Sequence, residues 1–211
     1  MTSPLAALAH PPVRRRDQQK EQTRLDLSLA AFELAREHGL ASVRVPQIAA
    51  ATGVSPRTFN NYFASKEAAI VWPATWRASR LAASLEARPP QEPLADALAE
   101  AVAGLYEQDE MDGLPPGWLG DFRALVATEP ALHGEYLKAA GAVEVALAGA
   151  IARRTGVEQG ELAPQVLAAV VAGAERAAVL FWARQPNPSG TLTDVIRTAV
   201  IMAVRGMADR F

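Results

Sequence analysis

Arginine, threonine and asparagine crowd one short stretch of this 211-residue chain, Arg57-Thr58-Phe59-Asn60-Asn61-Tyr62-Phe63. An arginine fork can donate two bonds to guanine, and an asparagine amide can pair with the edge of adenine. On a helix, Phe59 and Phe63 share one face and leave Arg57, Thr58, Asn60 and Asn61 on the other. That polar face suits the reading of a DNA major groove; it also suits an ordinary helical hairpin whose outer side is merely solvated. Elsewhere the chemistry is sparse. His10, His38 and His133 lie far apart without the paired spacing of zinc ligands, and there is no cysteine. No glycine-rich phosphate loop follows a strand, and Ser65, Ser79 and Ser84 have no evident histidine and carboxylate partners. No catalytic residue, metal ligand or cofactor is therefore assigned, and the chain does not read as an enzyme.

The elements that must hold this stretch are short helices. Leu25, Leu29, Phe32 and Ala35 repeat at helical spacing up to His38, and Gly39 supplies a left-handed end. Val45–Thr52 carries Pro46 in its first turn and stops at Gly53. Ser55 can cap the following helix, Pro56 to about Phe63, by accepting an orphan backbone N–H. Two short helices joined by a glycine-containing turn form a helix-turn-helix, with Ala49 small at the crossing and Ile48, Val54, Phe59 and Phe63 closing its core. Lys66–Arg88 reads as one long helix that Pro73 should kink or split. Further helices are expected at Leu94–Glu107, Trp118–Thr128, Pro130–Arg154, Ala163–Arg184 and Leu192–Met207, giving an all-α chain of about nine helices.

Composition agrees. Alanine, the best helix former, is about a fifth of the residues, and alternating β-branched runs are nearly absent. The net charge of −2 hides an asymmetry: residues 1–66 carry +4 and residues 67–211 carry −6. A basic reading module on a larger acidic body is implied. The expected organisation is a flexible basic arm at 1–17, a DNA-binding domain at 18–66 and an effector-binding and dimerisation domain at 67–211. The start lacks the basic-then-apolar order of a signal peptide. The longest apolar stretch is interrupted by Glu175 and Arg176. No membrane span is expected, and a cytoplasmic setting fits.

Residues 20–70 resemble the DNA-binding domain of the tetracycline-repressor (TetR) family. The matching stretches are Ala30-Ala31-Phe32, Gln47-Ile48-Ala49, Thr52-Gly53-Val54-Ser55, Arg57-Thr58-Phe59, Tyr62-Phe63 and Ser65-Lys66-Glu67-Ala68. Asn60 stands where many members carry tyrosine, and Arg44 where threonine is common. The resemblance implies a homodimer on a double-stranded, palindromic operator. Arg57, Thr58, Asn60 and Asn61 would read base edges, beside the cap Ser55. Tyr62, Lys66, Arg44 and Arg24 would hold phosphates, and Arg14-Arg15-Arg16 could reach a minor groove. Some relatives with a similar recognition segment respond to fatty acyl thioesters.

The body supplies two further expectations. Ala163–Arg184 and Leu192–Met207 carry more apolar surface than one core can cover, which points to a four-helix dimer interface. Trp76, Tyr106, Trp118 and Phe122, with Trp72, Tyr136 and Met111, could surround a ligand cavity. Glu175 and Arg176 have almost only apolar neighbours three and four residues away, so they must be paired or face a cavity or an interface. The expectation is a ligand-responsive transcriptional regulator, a repressor by family resemblance, released by a largely apolar effector. The alternative is a DNA-binding regulator whose large domain docks a protein partner.

Overall fold

The computed structural model describes residues 13–106, 113–115, 117–185 and 190–206. Among them the secondary structure is helical throughout, in ten α-helices and one 3-10 turn. They are α1 (Val13–His38), the 3-10 turn Leu40–Ser42, α2 (Val45–Ala51), α3 (Pro56–Tyr62), α4 (Lys66–Ser79), α5 (Leu81–Glu86), α6 (Leu94–Ala103), α7 (Trp118–Thr128), α8 (Pro130–Thr155), α9 (Leu162–Ala183) and α10 (Leu192–Arg205).

Two compact units divide the chain, residues 1–70 and 71–211. In the first, α1 packs on the 3-10 turn and on α2, and α2 packs on α3. Its core is Leu27, Ala31, Phe32, Leu40, Val43, Ile48, Ala49, Phe59, Phe63 and Ile70, all buried. The turn between α2 and α3 needs Gly53, whose φ of 68° is costly for any residue with a Cβ. There the Val54 N–H donates to the Ala49 carbonyl at 2.9 Å, which closes the end of α2. Ser55 caps α3 as its type predicts: its hydroxyl accepts the Thr58 N–H at 3.1 Å.

In the second unit α6 lies innermost. Ala95, Ala97, Leu98, Ala99, Ala101, Val102 and Ala103 are all buried, because alanine lets neighbouring helices approach from several sides. Around it α10 packs on α6 and α9, α9 on α8, and α5 on α6 and α8. By length and composition Leu162–Trp182 could cross a membrane. Here it packs on α8 and α10, and its two central charges are paired, as described below.

Three sequence expectations are corrected. Helix α1 begins at Val13, well before the first residue of the apolar repeat at Leu25, so the backbone of Val13–Asp17 is helical; residues 1–12 and Met111 lie outside the described residues. The long element 66–88 is two helices, α4 and α5, that meet at Arg80. Pro73 does not cause that break: it sits inside α4, and the helix continues to Ser79.

Candidate nucleic-acid interface and ligand cavity

The first unit presents its polar groups on α3. Phe59 is fully buried and meets Phe63 at 5.8 Å between ring centres, tilted by 48°. With that face fixed to the core, Arg57, Asn60 and Asn61 are exposed. Thr58 is half-buried, and its hydroxyl lies 2.9 Å from that of Ser55. Seven residues thus present one arginine fork and two amides outward, on a helix whose start is set by Ser55 and Pro56.

The residues expected on phosphates are placed less uniformly. Arg24 of α1 lies over the Tyr62 ring, 6.0 Å from its centre, which ties the first helix to the end of α3. The Arg24 Nε is buried without a hydrogen-bond partner. Arg44 is exposed, and its Nη1 donates to the carbonyls of Ala41 at 2.5 Å and Val43 at 3.1 Å. Its backbone N–H donates to the Gln47 Oε1 at 2.7 Å, which starts α2. Lys66 departs most from expectation. Its Nζ donates to the carbonyls of Leu40 at 2.5 Å and Val43 at 3.0 Å, and its side chain is only 18% exposed. The ammonium is engaged inside the unit, bridging the start of α4 to the 3-10 turn. Carbonyls at a turn's end are natural acceptors for a cation, and sequence spacing carries no sign of a partner 26 positions away.

The second unit holds a cavity of about 80 Å³. Of the six residues expected on a ligand, Tyr106, Phe122, Glu175 and Arg176 line it, and Trp76 and Trp118 do not. On α4 the wall is made by Ala74, Thr75 and Ala78. Trp76 points elsewhere, since two residues along a helix is about 200° of rotation. It packs on Trp72, with the Arg80 guanidinium 5.5 Å from its ring centre. Trp118 is buried behind the wall, stacked on Phe122 at 4.8 Å and 12°. Tyr136 meets Phe122 edge-on, 6.1 Å between ring centres.

Two charged wall residues escaped the sequence reading. Arg123 Nη2 donates to Glu175 Oε1 at 2.9 Å, and the Tyr106 hydroxyl donates to the same oxygen. Arg176 pairs with Glu144 at 3.6 Å. Both Arg123 and Glu144 line the cavity. The neighbours of Arg123 three and four positions away are Leu119, Gly120, Val126 and Ala127; those of Glu144 are Ala140, Gly141, Leu147 and Ala148. The test that singled out Glu175 and Arg176 would have found both.

Outside the cavity, α9 and α10 leave an apolar groove of about 790 Å³, with Val170, Ala177, Phe181, Val195 and Met202 on its walls. Leu162, Val166 and Leu180 of α9 are also exposed. Val171 and Ile196, by contrast, are fully buried within the chain's own core.

A helix-turn-helix unit followed by an all-helical body defines a regulatory DNA-binding protein, and the comparisons specify which kind. Residues 29–69 match the family model for bacterial regulatory proteins, tetR family, and residues 92–208 match the MftR C-terminal domain. The HTH-type transcriptional regulator TcmR of Streptomyces glaucescens is 33% identical over 171 residues, which is 79% of this chain and 76% of TcmR. A transcriptional regulator of Pseudomonas aeruginosa PAO1 shares the fold at TM-score 0.56 and 21% identity, over 90% of this chain and 91% of that one. Thermus thermophilus FadR, a repressor solved with lauroyl-CoA, shares it at TM-score 0.53 and 23% identity, over 87% and 94%. The chain belongs to the TetR family. It is a DNA-binding transcriptional regulator, with the domains of a transcription factor rather than of an enzyme.

Proposed function

We propose that this regulator is a repressor that binds a palindromic operator as a homodimer and is released by a small, largely apolar molecule. The observation that carries the reading is the pairing of an outward polar helix in one unit with an inward-facing, charge-lined cavity in the other. In this reading Arg57, Thr58, Asn60 and Asn61 contact base edges, with α3 held by its Ser55 cap. Tyr62, Arg44 and Arg24 contact phosphates, and Lys66 acts through the fold of the reading unit. Residues 18–66 serve as the DNA-binding domain and 67–211 as the effector and dimerisation domain. The exposed apolar groove of α9 and α10 supports a twofold contact. The same face supports the other reading, in which a different protein docks there.

The test begins with selection of operators from random duplexes by the whole chain. Two inverted half-sites whose centres lie about one helical turn apart, roughly 34–36 Å, are expected. A single unrepeated site, with the chain monomeric at micromolar concentration by light scattering, would rule out the dimeric reading. Effector and operator must also oppose each other reciprocally. A ligand that lowers operator affinity by some factor binds the operator complex more weakly by that same factor.

A further inference from the structure

The cavity wall carries two cations and two anions already matched to each other, Arg123 with Glu175 and Arg176 with Glu144. Arg123 and Glu175 are 15% and 20% exposed, so both are largely out of water. From this balance we infer that the cavity selects a compact ligand without net charge, an apolar ring bearing a hydroxyl that docks on Arg123 and Glu175; the inference rests on the effector reading above and names its ligand class.

Electrostatics excludes charged ligands first. A carboxylate ligand would bring a third negative charge to a wall whose cations already have partners. It would sit against Glu175 and Glu144 with no cation of its own left to neutralise it. An ammonium ligand meets the mirror problem at the arginines. A neutral ligand disturbs neither pair.

Hydrogen-bonding capacity then selects the head group. Arg123 Nη2 is spent on Glu175, whereas Arg123 Nε is buried and has no acceptor. Glu175 Oε1 accepts from both Arg123 and Tyr106, and the second carboxylate oxygen has acceptor capacity to spare. On the wall Glu175 therefore offers acceptor capacity, and Arg123 beside it holds a donor just under the surface. A hydroxyl is both acceptor and donor and can satisfy the two together; a hydrocarbon satisfies neither, and a buried donor left unmatched is costly.

Shape selects the body. Phe122, backed by the stacked Trp118, and Tyr136, set edge-on to it, are aromatic walls against which a ring can pack. The remaining lining includes Leu81, Val102, Leu105 and Val171, all aliphatic. About 80 Å³ is several times the roughly 10–15 Å³ that one water needs. It lies well below the roughly 300–1,000 Å³ of pockets for drug-sized molecules. Benzene is held by an apolar cavity of about 150 Å³, so one ring enters here as the lining gives way slightly; the acyl thioesters to which some relatives respond need far more enlargement.

Four probes of nearly equal size test the rule on the whole chain by calorimetry: p-cresol, p-xylene, p-toluate and 4-methylbenzylammonium. p-Cresol is expected to bind at least about tenfold more tightly than each of the others, a gap of about 1.4 kcal/mol. In Glu175→Gln the negative charge is gone and Arg123 is released. p-Toluate should then gain about tenfold relative to p-cresol, a reversal that mere loosening of the fold would not produce. Should that variant fail to fold, the wild-type ranking decides alone. Tighter binding of p-toluate, p-xylene or the ammonium to wild type, or no binding of any probe at millimolar concentration, overturns the inference. The effector reading fails separately. If p-cresol binds as ranked but leaves affinity for the selected operator unchanged, the charge rule stands and the switch falls. If a charged or long-chain molecule releases the operator, the switch stands and the charge rule falls.

Discussion

Arginine does opposite things in the two units. Arg57 stands exposed on α3, where its fork is available to a partner, while Arg123 is turned inward and bound to Glu175. The surroundings make the difference. Arg57 follows a capping serine and a proline on a seven-residue helix that has only one face to bury. Arg123 sits on α7 between Phe122 and Val126, both buried, so its stem is drawn under the surface with them. The comparison teaches that a helix's apolar face decides whether a neighbouring cation is offered outward or held inside, and an inward cation then requires an anion.

The α9 surface sharpens the contrast most strongly. Val170 lines the open groove and its neighbour Val171 is fully buried. Val171→Asp should unfold the body, since an uncompensated buried ion costs several kcal/mol. Val170→Asp should leave the melting temperature nearly unchanged and abolish self-association. Calorimetry with light scattering separates the two, and equal loss of folding in both would remove the distinction between core and interface faces.

On the reading unit the largest effect is expected at Phe59. Phe59→Ala should cost about 3–5 kcal/mol as a large-to-small core change. Amide exchange should show lost protection in residues 25–63 while α6 stays protected. Loss of protection in both units together would mean that they do not fold separately.

Arg57 and Lys66 divide recognition from positioning. Arg57→Ala should cost about 1–3 kcal/mol and relax preference at one operator position. Lys66→Ala removes a cation from two carbonyls and should destabilise the unit by about 1.5–3 kcal/mol. It should weaken every duplex alike while leaving the salt dependence of binding unchanged. A drop of about one in the salt slope would return Lys66 to the phosphate.

The smallest effect is a pH response at the start of α10. The Thr191 hydroxyl donates to the Asp194 carboxylate at 2.7 Å and holds that group below its ordinary value of 3.8. A carboxyl whose folded value is depressed contributes stability that is present above the unfolded value and lost as pH falls through the folded one. Amides at the start of α10 should therefore lose protection in acid below about pH 4, and Thr191→Val, which keeps the backbone bond and Arg197, should weaken that local response. An unchanged acid profile in the variant would show that the cap does not set it.

The helices, their caps and the polar face of α3 were legible in residue order because each rests on neighbours within one turn. The spacing of Phe59 and Phe63, the hydroxyl of Ser55 and the left-handed Gly53 all act locally. The two pairs in the cavity were half legible: the apolar surroundings of Glu175 and Arg176 required partners, but not which ones. Helical periodicity names the face of a residue and not the element opposite. Arg123 meets Glu175 from 52 positions away, Lys66 reaches Leu40 across 26, and Trp76 turns from the cavity because Ala74 and Ala78 take that side of α4. Sequence alone determined that this chain is a TetR-type reading head with a helical body, since those signals are short-range. Tertiary packing decided which charges are spent inside and which are offered outward, because burial and pairing depend on what another helix brings to the same place.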